Sequence, residues 1–277
     1  MKIFSWDDIL KIESGINHEL FKNGSAISVG SFDGPHIGHN ELFYSVLKKA
    51  KKHSYVAGLV TFSQSLGQNK SNDFYKGDVS TLNQRLNSFI KLSMDFCIVI
   101  DFSIDFGKMN GEHFLSILKN ACNLKFLAEG VDFRCGYRGL YGINEISNFA
   151  KCNNIETCFL PDVMYFGKRV SSSRIRSCVS NADFVSAENM LLHPYELDLT
   201  NVLLQKEENF LIADRQHFFQ VLPENGIYNV HIITANANVL AKLYVEPLFL
   251  RLEVPNFNFT DKIMSVAFIG TSKKLQK

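Results

Sequence analysis

The most informative stretch of this chain is Ser25-Ala26-Ile27-Ser28-Val29-Gly30-Ser31-Phe32-Asp33-Gly34-Pro35-His36-Ile37-Gly38-His39. Its apolar, β-branched beginning, 26–29, is typical of a buried strand. Two glycines and a proline then predict a turn. From Asn40 onward, apolar residues recur at the spacing of an amphipathic helix, at Leu42, Phe43, Val46, Leu47 and Ala50. The stretch therefore predicts a strand, a tight turn and a helix in immediate succession.

Two histidines at the start of that helix indicate an anion site. His36 and His39 lie one turn apart, beside backbone amides that have no partner within the helix. The helix dipole and these amides favour phosphate, and imidazoles can donate hydrogen bonds to its oxygens. Gly38 carries no side chain, so a polyphosphate can approach the backbone closely. Either histidine alone would be an ordinary surface or capping residue, but the whole conjunction favours a polyphosphate site.

The tetrapeptide His36-Ile37-Gly38-His39 resembles the signature of the nucleotidyltransferase superfamily named for it. The preceding residues, Gly30-Ser31-Phe32-Asp33-Gly34-Pro35-His36, are most similar to the bacterial FAD synthetase family. The resemblance implies transfer of AMP from ATP to FMN, giving FAD and pyrophosphate, in a Rossmann-like parallel-sheet domain. It implies that His36 and His39 contact the ATP phosphates. It also implies nucleotide contacts by Gly30, Ser31, Phe32, Asp33, Gly34 and Gly38.

A second glycine-rich segment, Glu129-Gly130-Val131-Asp132-Phe133-Arg134-Cys135-Gly136-Tyr137-Arg138-Gly139, follows a predicted strand at 125–128. It resembles the family's Gly-x-Asp/Asn-Phe-x-Phe-Gly motif, with Cys135 where an aromatic residue is common. The resemblance implies that Asp132 lies beside the phosphates or their Mg²⁺, and that Phe133 lies near the flavin or beneath the loop. A glycine loop that merely turns a corner is the alternative.

A third motif, Val170-Ser171-Ser172-Ser173-Arg174-Ile175-Arg176, resembles the family's Ile-Ser-Ser-Thr-x-Ile-Arg. Serines can cap a helix, and arginines supply permanent positive charge for a leaving pyrophosphate. The resemblance implies that Ser172, Ser173, Arg174 and Arg176 hold the β- and γ-phosphates of ATP, with Arg174 taking part in catalysis. Alone, the motif would be a capping sequence with solvated arginines. We expect it to converge with the histidine pair on one triphosphate.

The flavin contacts are less well defined by the sequence. The family carries Thr-Phe followed by a Pro-His-Pro-like segment near the flavin site. Thr61-Phe62 matches the first part, which implies a flavin contact by Phe62, but the polar loop Ser63–Lys76 lacks the second part. Phe102 and Phe106 are either core residues or a hydrophobic wall near the flavin.

Composition limits the class of protein. The chain has 277 residues, of which 46% are hydrophobic and 21% charged, and its net charge of +1 gives no basis for nucleic-acid recruitment. It lacks a run of the roughly 20 apolar residues that a membrane span needs, and Asp7 and Asp8 stand where a signal peptide would be apolar. We expect a cytoplasmic protein. Its six cysteines lack metal-ligand spacing and are expected to be reduced.

Two domains are predicted, at 1–194 and 195–277. Strands and helices alternate in the first, whereas the second has short strands separated by turns and predicts a small antiparallel sheet or barrel. Bifunctional members of the family carry a riboflavin kinase barrel there, and Gly226-Ile227-Tyr228 resembles one of its strand starts. The kinase's Gly-x-Pro-Thr-Ala-Asn motif has no match between Tyr195 and Gly226. We therefore expect a degenerate barrel without kinase activity.

Two other functions are compatible with the motifs. One is a different adenylyltransferase, such as one acting on nicotinamide mononucleotide, because that branch has a similar Ser-Ser-x-x-Ile-Arg segment. The other is a flavin- or nucleotide-binding protein that has lost turnover.

Overall fold

The computed structural model describes residues 1–15, 18–64, 76–102, 104–254 and 262–273. Contacts divide the chain into two compact units. The first comprises Met1–Ser71 and Arg85–Arg169, and the second comprises Asn72–Gln84 and Val170–Lys277. This division groups 170–194 with the second unit, and the predicted domains at 1–194 and 195–277 stay a prediction.

The first unit is an α/β fold. Its strands are β1 (Lys2–Ser5), β2 (Ser25–Val29), β3 (Val56–Phe62), β4 (Phe96–Ile100), β5 (Leu124–Gly130) and β6 (Glu156–Leu160). Its helices are α1 (Trp6–Glu13), α2 (Ile37–His53), α3 (Leu82–Lys91), α4 (Ile104–Lys108), α5 (Gly111–Cys122) and α6 (Ile143–Cys152), with α3 beginning in the segment grouped with the second unit. A hairpin of β7 (Met164–Tyr165) and β8 (Lys168–Arg169) follows.

The six strands form one parallel sheet in the order β1-β4-β3-β2-β5-β6. Both faces are buried, because successive residues of β2 enter different cores. Ile27 packs in the core that includes residues of α1, α5 and α6, while Ala26 packs in the core that includes residues of α2 and α3. The predicted Rossmann-like α/β class is confirmed.

Strand order identifies where a ligand should bind. From β2 the chain continues to β3 on one side, whereas β5 lies on the other side of β2 and continues to β6. The order therefore reverses between β2 and β5. In open parallel sheets, ligands bind beyond the carboxyl ends of the strands at such a switch point. The predicted histidine pair follows directly from the carboxyl end of β2.

The second unit contains α7 (Ser172–Ser180), α8 (Phe184–Leu191) and an antiparallel sheet that curls into a half-barrel. Its strands are β9 (Glu196–Asp198), β10 (Gln205–Glu207), β11 (Phe210–Asp214), β12 (Gly226–Thr234), β13 (Asn238–Val245), β14 (Phe249–Glu253) and β15 (Ile263–Lys273). They lie in the order β10-β11-β14-β13-β12-β15-β9. Phe184 of α8 stacks on Phe268 of β15 at 4.5 Å between ring centroids. This packing explains why α8 is grouped with the sheet.

The sequence over 178–192 predicts one helix, but this prediction is wrong, because two helices, α7 and α8, occupy that stretch. Ala182 adopts a left-handed φ of 58°, which stops α7. Asp183 then caps α8, its Oδ1 accepting the Ser186 amide at 3.1 Å. The sequence also predicts a turn at 105–108, where the structure has the short helix α4.

The apolar run 218–222 predicts a strand, but among the described residues only a single β-bridge forms there, between Gln220 and Asp78. Gln220 is 4% exposed, and its Nε2 donates to the Val79 carbonyl at 3.1 Å and to the Glu196 carbonyl at 2.9 Å. This segment is therefore held by these side-chain bonds and by the two backbone bonds of the bridge instead of by a strand ladder. Most of the predicted loop Ser63–Lys76 lies outside the described residues.

Within the described part of the chain, no helix combines the length and apolar character needed to cross a membrane. The six cysteines are free thiols.

Candidate functional site

His36 forms the junction between the glycine-rich turn and α2. It is the N-cap residue, and its Nδ1 accepts the backbone N–H of His39 at 3.3 Å. The helix thus begins at Ile37, so the two histidines open it, as the sequence predicts. At a helix mouth, amides without a partner within the helix and the dipole favour a phosphate group.

The two imidazoles stack on each other, with ring centroids 3.6 Å apart and planes 12° apart. Burial lowers the pKa of His36 to about 4, with a smaller contribution from the positive charge of Arg169. Burial also lowers the pKa of His39 well below its usual value, and the adjacent His36 adds to that shift. Both rings are consequently neutral at pH 7, and each carries one N–H donor.

The hydrogen-bond pattern assigns the proton on one ring. Because Nδ1 of His36 accepts a backbone N–H, the neutral ring carries its proton on Nε2. The Nδ1 atom of His39 is buried and has no hydrogen-bond partner among the described residues. A phosphate ligand can accept a hydrogen bond from Nε2–H of His36. Beside it, Nδ1 of His39 is a polar atom that makes no hydrogen bond to the described residues.

Phe32 lies beneath the pair in the core, with 2% of its surface exposed. Its ring centroid lies 5.2 Å from His39 and 5.0 Å from Phe43, both in edge-to-face contact. Its φ is +46°, a left-handed conformation that packing must stabilise. Any contact of Phe32 with a nucleotide would therefore come from its backbone.

Side chains at the glycines around Phe32 and His36 would crowd those two rings. A Cβ atom at Gly30 would lie 2.8 Å from the Phe32 ring, and one at Gly38 would lie 3.3 Å from the His36 ring. Gly34 has a φ of +63°, which glycine adopts without strain. Asp33 is buried, with 2% of its surface exposed.

The loop after β5 presents an ion-pair cluster. Arg169 of β8 pairs with Asp132 at 2.5 Å and, through Nε, with Asp162 at 3.1 Å. Phe133 is partly buried and packs against the core beneath this loop. No group of three or more potential metal ligands occurs in the described ranges.

Glu129 is a site feature that sequence reasoning missed. It is the penultimate residue of β5, it is 1% exposed, and its Oε1 accepts the Val29 N–H at 2.7 Å. The bond joins the carboxyl ends of β2 and β5 at the switch point. Burial raises the pKa of Glu129 well above its usual value. A carboxyl group directly after the apolar run 126–128 was the available sequence signal.

Phe62 ends β3 and is 8% exposed. Its ring centroid lies 6.0 Å from Phe102 and 6.1 Å from Phe106. Phe106 packs against the core, and its ring lies 5.4 Å from Trp6. Phe102 is 39% exposed and remains accessible. Phe106 therefore packs with the core, whereas a flavin contact of Phe102 stays a prediction.

The Ser/Arg motif forms the start of α7 in the second unit. Ser171 is the N-cap, and its Oγ accepts the Arg174 amide at 3.2 Å. The predicted phosphate ligands Ser172, Ser173, Arg174 and Arg176 follow in the first turns of that helix. Their convergence with the histidine pair stays a prediction.

Comparisons with known proteins agree with these motifs. The model of the FAD synthetase family matches residues 18–174. A bifunctional riboflavin kinase/FMN adenylyltransferase of Buchnera aphidicola subsp. Schizaphis graminum is 26% identical over 191 residues, which are 68% of this chain and 61% of that protein. The Haemophilus influenzae protein of the same name is 26% identical over 262 residues, covering 87% of this chain and 82% of that protein.

A solved structure shares the fold. The crystal structure of a macrolide-efflux protein from Streptococcus pneumoniae superposes with a TM-score of 0.82 at 19% identity, covering 100% of this chain and 93% of that chain. The family match spans more than half of the chain and includes both the histidine pair and the loop after β5. The chain therefore belongs to the FAD synthetase family.

Proposed function

We propose that this protein is an FMN adenylyltransferase. A phosphate oxygen of FMN attacks the α-phosphorus of ATP, the bond from that phosphorus to the bridging oxygen of the β-phosphate breaks, and pyrophosphate leaves. The attacking phosphate is already ionised at neutral pH, so catalysis consists mainly of positioning and charge stabilisation. The observation that carries the proposal is the neutral, stacked His36–His39 pair at the mouth of α2, in a chain of the FAD synthetase family.

The histidines suit this reaction because they are neutral donors. A neutral imidazole can donate to a phosphate oxygen without bringing a buried positive charge, and the helix mouth adds oriented amides. Charge grows on the bridging and non-bridging oxygens in the transition state, so we assign His36 and His39 mainly to that state. The backbone of 30–34 and the bare surface at Gly38 support close approach of the nucleotide.

Binding of the β- and γ-phosphates is assigned to Ser172, Ser173, Arg174 and Arg176. This assignment rests on the family resemblance and on the position of these residues at the beginning of α7. Hydroxyl groups and guanidinium groups are suitable donors to a polyphosphate, and arginine keeps its charge as pyrophosphate leaves.

Mg²⁺ is implied by the family, and Asp132 suits it chemically. Mg²⁺ prefers hard oxygen ligands and usually combines one or two carboxylates with substrate phosphates. The Asp132 side chain is 54% exposed and is paired with Arg169, so a carboxylate oxygen is available at the loop surface. When bound, the metal would neutralise charge on the phosphates. Arg169 would hold Asp132 in place.

The flavin ring is assigned to the aromatic cluster at the ends of β3 and β4. Phe102, which is 39% exposed, offers a ring face beside Phe62. Aromatic rings stack favourably on one another, so this cluster suits the isoalloxazine of FMN. Phe133 is proposed as support beneath the phosphate loop or as a further flavin contact.

Product analysis tests the proposal. The purified protein is incubated with ATP and Mg²⁺, together with either FMN or nicotinamide mononucleotide, and the products are separated by chromatography. We expect FAD only with FMN, and radiolabel from the α-phosphate of ATP should appear in it. Formation of the nicotinamide dinucleotide, or tight binding of ATP with no product from either acceptor, would contradict the proposal.

A further inference from the structure

Arg85 of α3 is buried although it carries a permanent charge, with 1% of its surface exposed. Its Nη1 donates to the Ser31 carbonyl at 2.7 Å, to Thr61 Oγ1 at 3.0 Å and to the Phe62 carbonyl at 2.8 Å, while Nη2 donates to the Ser63 carbonyl at 3.2 Å. A buried charge is costly unless it is well hydrogen-bonded. These acceptors belong to the loop after β2 and to the end of β3, so one side chain ties the two together.

The Ser31 carbonyl is the centre of this arrangement. It accepts from Arg85 and also from the Thr61 hydroxyl, at 3.0 Å. Two donors from different elements fix the direction of this carbonyl and thereby the peptide plane before Phe32. The left-handed backbone of Phe32 starts at that plane.

The same face of α3 fixes the ring of Phe32. Phe89 lies one helical turn after Arg85 and is completely buried. Its ring centroid lies 6.0 Å from that of Phe32, which in turn makes an edge-to-face contact with His39 at 5.2 Å. Arg85 and Phe89, on one face of α3, therefore hold both the backbone and the ring of Phe32, which lies beneath His39.

We propose that Arg85 is a positioning residue for the histidine pair. By fixing the Ser31 carbonyl it holds Phe32 under His39, and the imidazole keeps its orientation before ATP binds. The kinetic part of this inference rests on the proposed adenylyl transfer, whereas the orientation of His39 is measurable without turnover. A guanidinium is needed because one planar group must donate both to the Ser31 carbonyl in the loop after β2 and to acceptors at the end of β3.

Two substitutions test the proposal. Arg85→Met removes all the donors, and Arg85→Lys keeps the charge but not the fork. The readouts are kcat and KM for ATP in FAD formation, and the NMR resonance of the His39 Cε1–H, identified by its loss in His39→Asn. We expect Arg85→Met to lower kcat about 100-fold with little change in KM, and Arg85→Lys about tenfold. The His39 resonance should shift in both, and further in Arg85→Met.

Leu118→Ala is the matched stability control. Leu118 is completely buried in α5, in the core on the opposite face of the sheet. The substitution Leu118→Ala should lower Tm but leave kcat and the His39 resonance unchanged. If Arg85→Met only lowers Tm in the same way, Arg85 is merely structural and the inference is wrong.

Two further outcomes remain decisive. If Arg85→Met does not fold, a wild-type kcat and an unshifted His39 resonance in Arg85→Lys would overturn the inference. If the wild-type protein makes no FAD, the proposed function fails, and the His39 resonance alone then decides whether Arg85 positions the ring.

Discussion

His36 and His39 obtain their chemistry from their surroundings. An exposed histidine is partly protonated near neutral pH, but stacking at 3.6 Å and burial keep both rings neutral. Two positive charges at this distance would repel each other in a poorly solvated corner. The pair is thus suited to donate hydrogen bonds to phosphate over the whole neutral range.

Replacement of His39 tests its role in the transition state. We expect His39→Ala to lower kcat about 100-fold or more, because a donor to developing charge is lost, while the Kd for ATP changes little. Steady-state kinetics and equilibrium binding measure the two quantities. His53→Ala, at the exposed end of α2, is the control and should change neither. A change confined to ATP affinity would contradict the assigned role.

Glu129 shows how burial can reverse the ordinary state of a side chain. Because burial raises its pKa well above the usual value, the carboxyl group holds a proton to higher pH in the folded protein than in the unfolded chain. Between these two pKa values the folded state binds more protons. Its contribution to stability is therefore largest at low pH and is lost as pH rises through the folded pKa.

Glu129→Gln should remove this pH dependence. Glutamine cannot ionise, yet its amide oxygen can still accept the Val29 N–H. We expect the variant to gain stability relative to the wild type as pH rises from 5 to 8, measured by urea unfolding. Glu112→Gln, at an exposed position, is the control. A difference in unfolding free energy that does not grow with pH would show that Glu129 is ionised when folded.

The start of α2 shows how a helix boundary and a proposed binding site coincide. His36 caps the helix, and the buried residues of α2 begin only at Leu42, so the first turn is left out of the core packing. Gly38 is the clearest case. It occupies a helical position where alanine would ordinarily be better by up to about 1 kcal/mol.

Gly38→Ala separates stability from activity. The new Cβ would lie 3.3 Å from the His36 ring, which must shift, and it would cover backbone that a phosphate approaches. We expect unchanged or slightly higher Tm and a kcat about tenfold lower. Thermal unfolding and FAD formation measure these effects. Equal losses of Tm and activity would show that Gly38 is required for folding instead.

Helix α3 shows what hydrophobic spacing misses. The apolar residues Leu82, Leu86, Phe89 and Ile90 predict a helix, but Arg85 and Phe89 are its buried residues, with 1% and 0% exposure, and Ile90 is 49% exposed. Arg85 is buried because carbonyls at the end of β3 and in the loop after β2 accept hydrogen bonds from its guanidinium. Hydrophobic spacing carries no information about such acceptors.

At the scale of the whole molecule, an α/β unit and an antiparallel half-barrel unit share one chain. Two relatives with a bifunctional name, from Buchnera aphidicola and Haemophilus influenzae, align with parts of this chain. The sequence between Tyr195 and Gly226 lacks the kinase phosphate motif. The half-barrel unit is therefore proposed to serve stability, assembly or partner contact.

A kinase assay tests this. Riboflavin with ATP and Mg²⁺ should give no FMN, because the kinase's Gly-x-Pro-Thr-Ala-Asn motif has no match between Tyr195 and Gly226. The bifunctional protein of Haemophilus influenzae is the positive control under the same conditions, with products separated by chromatography. Formation of FMN by the present protein would show that its second unit is an active kinase.

The sequence by itself determined the strand, turn and helix around the histidine pair, because those signals are local: β-branched residues, turn glycines and apolar spacing within a few positions. Only the tertiary structure decided the state and orientation of the site. Arg85 reaches Ser31 across 54 positions, and Glu129 reaches Val29 across 100. Burial, which favours the neutral forms of the imidazoles and of this carboxyl, is a property of such long-range packing and cannot be read from neighbouring residues.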